Sequence, residues 1–135
     1  MKATATFSPI SWNEKPYGDL PKPARMTKAS VEFTFKGELE GRGETEFVMF
    51  YKEYDDKNPH GSSAVYVGLT RFTGTIAGKS GSFVMEERGT FEGGAAKSMS
   101  TIVSGSGTGD FKEIAGSGYG ISTQKTSELT LEFAL

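Results

Sequence analysis

Eight short β-rich runs, each closed by glycine or another turn-forming residue, leave this 135-residue chain few folds to choose from. The runs are 2–10, 27–37, 43–54, 64–76, 80–91, 96–104, 116–123 and 127–134. The 18 glycines fall between and within them as punctuation, not as a repeat or a low-complexity tract. Only Asp110–Ala115, in GTGDFKEIAG, offers a helical turn, with Phe111 and Ile114 spaced to face one way. An open sheet of eight strands would leave two exposed edges, and closure into a barrel removes them. The expectation is one all-β domain over 1–135, an eight-stranded antiparallel up-and-down β-barrel.

Side-chain chemistry argues the hairpin registers, because a slip of one residue would turn every side chain to the wrong face. A two-residue turn at Ala77-Gly78 pairs Phe72 with Phe83, Thr70 with Met85, Gly68 with Glu87, Tyr66 with Gly89 and Ala64 with Phe91. A Gly93-Gly94 turn pairs Phe91 with Ala96, Gly89 with Ser98, Glu87 with Ser100 and Met85 with Ile102. Large side chains meet small ones at most steps, as the interior of a small barrel requires. A three-residue Leu39-Glu40-Gly41 loop would set Phe35 against Thr45, Phe33 against Phe47, Val31 against Met49 and Lys36 against Glu44. The last hairpin aligns Tyr119 and Ile121 with Leu129, Leu131 and Phe133, and Ala3, Ala5 and Phe7 complete the ring.

Composition removes several classes of function. With 15 basic and 17 acidic residues and no basic cluster, the chain lacks the electrostatic footprint of a nucleic-acid binder. The absence of cysteine removes disulfides, thiolate metal sites and thiol nucleophiles together. No apolar run approaches the roughly 18 residues of a membrane helix, and MKATATFSP begins an alternating pattern in place of a signal peptide's apolar core. No membrane association and a cytoplasmic location are the expectations. No dinucleotide fingerprint, metal-ligand cluster or Schiff-base lysine context occurs, so no metal or organic cofactor is expected.

Several segments resemble an uncharacterised bacterial family of barrels similar to allene oxide cyclase (domain of unknown function 3224). They are KATATF near the start, SWNEKPY at 11–17, YVGLTRFTGTIAGKSGSF at 66–83, GTFEGG at 89–94 and GSGTGDF at 105–111. GTGDFKEIAGSG also resembles the corresponding segment of dirigent proteins. The resemblance implies an eight-stranded, usually oligomeric barrel of allene oxide cyclase-like (calycin or lipocalin-like) type, in a superfamily whose characterised members position small hydrophobic intermediates during cyclisation or coupling. It also implies an altered pocket, since a His often stands at the position of Glu87 in that family and a Trp at that of Ser100. It transfers no activity.

His60, in DDKNPHGSS, would have to build a triad on a polar loop, and a solvated loop is the simpler reading. Asp55-Asp56 lacks the alternating ligand spacing of a calcium loop, and GSGTG lacks the Lys-Ser/Thr of a phosphate cradle, so both read as turns. Trp12 and Glu14, with Pro16 and Tyr17, form either a gate at a barrel mouth or a loop anchored by its Trp. Tyr51, Tyr66 and Tyr119 fall on the face assigned inward, where each hydroxyl would contact a ligand or merely fill volume. Glu87 is the sharpest candidate: an ionisable side chain on the Phe83, Met85 and Phe91 face, with Gly68 and Ser100 leaving space beside it.

These residues support three readings. The first is a barrel that binds an apolar or aromatic small molecule at one mouth through Tyr66, Gly68, Ser100, Met85, Phe83, Tyr51, Tyr119, Trp12 and Glu14. The second is a cofactor-independent cyclase or isomerase in which Glu87 moves a proton or stabilises positive charge. The third is a structural or assembly module with a filled interior. The outward face of the middle strands carries Val48, Phe50, Val65, Val67, Leu69, Val84 and Val103, which points to a homo-oligomer.

Overall fold

The computed structural model describes residues 1–54, 57–58 and 61–135. The His60 and Asp55-Asp56 expectations lie outside the described residues. Nine strands follow one another: β1 (Lys2–Pro16), β2 (Arg25–Gly37), β3 (Leu39–Glu53), β4 (Ser63–Ile76), β5 (Lys79–Glu92), β6 (Ala95–Ile102), β7 (Thr108–Gly109), β8 (Ala115–Ser122) and β9 (Ser127–Ala134). Eight of them close into an antiparallel up-and-down barrel in the order β1-β2-β3-β4-β5-β6-β8-β9, with β9 returning to β1. The two-residue β7 hangs on β5, pairing Gly81 with Gly109 and Ser82 with Thr108.

The β4–β5 and β5–β6 registers are those expected, pair for pair. Both turns hold two consecutive residues at positive φ, Ala77 (53°) with Gly78 (78°) and Gly93 (60°) with Gly94 (77°). That geometry matches the twist of the strands it joins.

Two other registers differ from expectation. The β2–β3 hairpin turns about Glu38, not Glu40, so Phe35 faces Gly41, Phe33 faces Gly43 and Val31 faces Thr45. The Glu38 carboxylate accepts the Thr4 backbone N–H at 2.9 Å and the Thr4 hydroxyl at 3.0 Å, which ties this turn to β1. The shift is four residues, an even number, so the inward face survives it. Packing explains the choice: a Cβ on Gly43 would lie 2.8 Å from the ring of Phe35, the diagonal neighbour beside its partner Phe33, so glycine there leaves room for the phenylalanine. Lys36 then faces Thr6 rather than Glu44, and Glu44 pairs with Arg71 at 2.8 Å.

In the β8–β9 hairpin, Gly116, Gly118 and Gly120 face Phe133, Leu131 and Leu129. Tyr119 and Ile121 therefore point out of the barrel, opposite Thr130 and Glu128, with Tyr119 53% exposed. Glycine inside makes room for the leucines and the phenylalanine of β9.

One end of the barrel is plugged. Phe35, Phe72, Phe83, Phe111, Ile114 and Leu131 belong to one buried cluster there. Asp110–Glu113 form successive turns and not a helix; Phe111 accepts from the Ile114 N–H at 3.0 Å, and both side chains turn inward as their spacing implied. Phe111 meets the edge of Phe83 at a centroid distance of 5.4 Å. At the other end, where the β1–β2, β3–β4, β5–β6 and β8–β9 connections lie, the barrel stays open.

Candidate functional site

The inward side chains of β5 measure depth in the barrel. Phe83 and Met85 are fully buried in the plug, Glu87 stands above them, Gly89 follows, and Phe91 reaches the mouth. Above the plug lies a cavity of about 520 Å³. Its walls are mainly aromatic, with Phe7, Phe33, Phe47, Tyr66 and Phe91 among them. Ser98 and Ser100 from β6 and Thr123 and Gln124 from the β8–β9 turn supply polar edges. An open interior rules out the filled-barrel arrangement.

Glu87 is the deep polar group. The Thr70 hydroxyl donates to its Oε1 at 3.1 Å and shares a 2.7 Å hydrogen bond with the hydroxyl of Thr45, forming a short buried chain from β3 to β5. Burial among apolar side chains pushes the Glu87 carboxyl up to about 7, against which the Thr70 hydrogen bond acts only in part. Tyr66 lies across the cavity wall with its ring over Gly89, where any Cβ would collide with the phenol. Burial raises its hydroxyl, a hydrogen bond with Ser98 opposes that shift, and the nearby Glu87 charge adds to it.

At the mouth a second carboxylate is built by β1. This strand runs six residues beyond the expected end at residue 10, and its pairing with β2 shifts between Pro9 and Ser11. A bulge of one residue exchanges the two faces of a strand. Before it Ala3, Ala5 and Phe7 face inward; after it Trp12 and Glu14 do. Glu14 accepts three hydrogen bonds: from the Trp12 indole N–H at 2.9 Å on Oε1, and from Thr27 at 2.6 Å and Tyr51 at 2.7 Å on Oε2. Burial, and then donation to Glu14, raises the Tyr51 hydroxyl. Trp12 is 49% exposed and stands on a strand, so it does not anchor a loop. Tyr54 meets Tyr51 edge to face at 5.0 Å and carries the Arg25 guanidinium 4.5 Å from its ring centre.

Of the residues singled out from the sequence, Glu87, Tyr66, Ser100, Tyr51, Trp12 and Glu14 line this cavity. Four do not. Met85 and Phe83 lie below it in the plug, and Tyr119 is outside the barrel. Gly68 faces Glu87, but the Phe47 ring takes up the space, since a Cβ on Gly68 would stand 2.7 Å from Phe47 Cδ1. The aromatic wall of Phe33, Phe47 and Phe91 was legible as an inward face, while Tyr54, Thr123 and Gln124 sit on connections that carry no alternation. Among the described residues, no group of three or more His, Asp or Glu side chains stands together as a metal site would need. No helix of the described chain is long and apolar enough to cross a membrane.

These features define a closed eight-stranded barrel with a plugged floor, one mouth and an aromatic cavity containing a buried acid. Residues 3–135 match the family described as Protein of unknown function (DUF3224), and the chain belongs to that family. A crystal structure of a DUF3224-family protein of unknown function from Shewanella oneidensis MR-1 is similar in fold. Its TM-score is 0.74 at 22% identity, over 100% of this chain and 97% of that one. No curated protein matches the sequence.

Proposed function

We propose that this protein binds a small apolar or aromatic molecule inside its barrel, admitted through the single mouth. The cavity carries the reading: about 520 Å³ lies within the range of roughly 300–1,000 Å³ common to small-molecule sites, and few polar groups converge on it. Apolar walls supply affinity by removing ligand surface from water, and Glu87, Tyr66 and Ser98 supply orientation. The resemblance to allene oxide cyclase-like and dirigent barrels supports the same assignment.

The test uses N-phenyl-1-naphthylamine, a neutral aromatic probe, and Trp12, the single tryptophan of the chain, at the mouth. Saturable enhancement of probe fluorescence, with energy transfer from Trp12 and one probe per chain, is the expected result. No enhancement at any probe concentration below its solubility limit would overturn the proposal.

A second reading rests on Glu87 alone. A carboxyl titrating near neutrality in a water-poor pocket can give and take a proton, as a cofactor-independent isomerase or cyclase needs. The two readings part on turnover: an isomerase loses it in Glu87→Gln while probe binding persists.

A further inference from the structure

We infer that the cavity selects a cationic ligand, an apolar or aromatic body bearing one ammonium group, over neutral and anionic molecules of the same shape. The inference rests on the cavity being a ligand site and names the class of molecule that site takes. Its basis is the sign of every ionisable group in the lining. Among the described residues no Lys, Arg or His lines the cavity, whereas two carboxyl groups do, Glu14 and Glu87.

Their placement is informative. Glu14 is on β1 and Glu87 on β5, four steps apart either way round a ring of eight strands, so they stand on opposite walls. Glu14 is held by three neutral donors, the Trp12 indole and the Thr27 and Tyr51 hydroxyls, and pairs with no basic side chain of the described residues. Three donors fix its position without cancelling its charge. Glu87 has one donor, Thr70, and faces the cavity with its remaining acceptor capacity.

The space between is walled by the aromatic side chains of Phe7, Phe33, Phe47, Tyr66 and Phe91, a ring type whose face attracts cations through its quadrupole. This rim already holds one cation in that manner, the Arg25 guanidinium on Tyr54, and Arg25 itself is not part of the lining. An anion entering would meet two carboxyl groups and aromatic walls, with no positive group among the described lining residues to repay its lost hydration. An ammonium would meet a carboxylate at the mouth, aromatic rings along the wall and a second carboxyl in the depth.

The experiment compares three ligands on one scaffold at pH 7, 1-naphthylmethylamine, 1-naphthylmethanol and 1-naphthylacetate, by calorimetry and by displacement of N-phenyl-1-naphthylamine. The amine is expected to bind at least about tenfold more tightly than the alcohol, and the carboxylate most weakly. The amine's advantage should shrink in Glu14→Gln and in Glu87→Gln and vanish in the double variant, with the alcohol's affinity little changed. Equal binding of amine and alcohol, or a preference for the carboxylate, overturns the inference in the wild-type protein. So does a preference that survives in the double variant, or failure of all three ligands while the neutral probe binds. Failure of the probe as well would instead remove the cavity reading beneath it.

Discussion

Tyr51 donates its hydroxyl to Glu14 Oε2 at 2.7 Å, so a carboxylate brought inward by the first strand is fixed in place by the third. Thr27, fully buried on the strand between them, donates to the same oxygen at 2.6 Å. Removing the acceptor strands both donors. Glu14→Ala should therefore cost about 2–4 kcal/mol of unfolding free energy in urea titration, and Glu14→Gln about half of that, since an amide oxygen still accepts. A loss below about 0.5 kcal/mol for Glu14→Ala would show that the mouth network is not formed in solution.

Glu87 makes stability depend on pH. Its carboxyl rises from 4.5 to about 7 on folding, so between those values the folded state holds a proton that the unfolded state has released. The contribution is present in full below about pH 4.5, declines as pH rises through 7 and is gone above it, up to about 3 kcal/mol in all. Among the described residues, Tyr66 is the titratable group on which the Glu87 charge acts. Unfolding free energies measured at pH 5 and pH 8 should differ less in Glu87→Gln than in the wild type, and a ¹³C titration of the Glu87 carboxyl should place its midpoint near 7. A midpoint near 4.3 would put the group in water.

Filling the cavity should abolish binding without unfolding the barrel. Ala96 lines the cavity beside Phe91, its partner on β5, so a larger side chain there enters open space. Ala96→Phe is expected to keep the far-ultraviolet spectrum of a β protein and weaken N-phenyl-1-naphthylamine binding by more than about tenfold. Unchanged binding would place the probe on the outer surface.

The plug carries stability in place of binding. Phe111 is fully buried and packs on Phe83 edge to face. Phe111→Ala should cost about 3–5 kcal/mol, seen as a lower urea midpoint at constant m value. A small loss would mean that the Asp110–Glu113 turns do not seal the floor.

The outer face of β3 and β4 is proposed to join copies of this chain. Val67 is 55% and Leu69 53% exposed, with Val65 beside them and half-buried Val48 and Phe50 across the strand pair. Val84 and Val103 are half-buried as well and lie beside the Ser106 turn, whose hydroxyl donates to Val103 O at 2.7 Å and accepts from the Val84 N–H at 3.0 Å. Val67→Asp should shift the mass measured by light scattering at micromolar concentration to that of a monomer. A wild-type protein that is already monomeric under those conditions would refute the interface.

Local chemistry determined much of this protein from sequence alone. Where a turn needs positive φ at two successive residues, as at Ala77-Gly78 and Gly93-Gly94, the turn fixes the register. Each residue of β5 from Phe83 to Phe91 then has its face and depth, and Glu87 could be placed in the interior beside Ser100. The alternation of large and small residues that supported those hairpins also held at β2–β3 and β8–β9. In β8 the glycines turn inward and not Tyr119 or Ile121, in β3 Gly41 and Gly43 share the inward face with Phe47 and Tyr51, and several registers satisfy short-range pairing equally well. Only contact with the neighbouring strand chooses between them: Thr4 on β1 captures Glu38, and Leu129 and Leu131 fill the space that Gly118 and Gly120 leave. The mouth was less legible still. A single bulged residue near Ile10 reverses the faces of β1, and no local propensity marks it, so Trp12 and Glu14 become cavity residues only when β2 and β3 are in place to receive them. Propensity and turn chemistry act over a few residues, whereas the position of a carboxylate on the opposite wall depends on the closure of all eight strands.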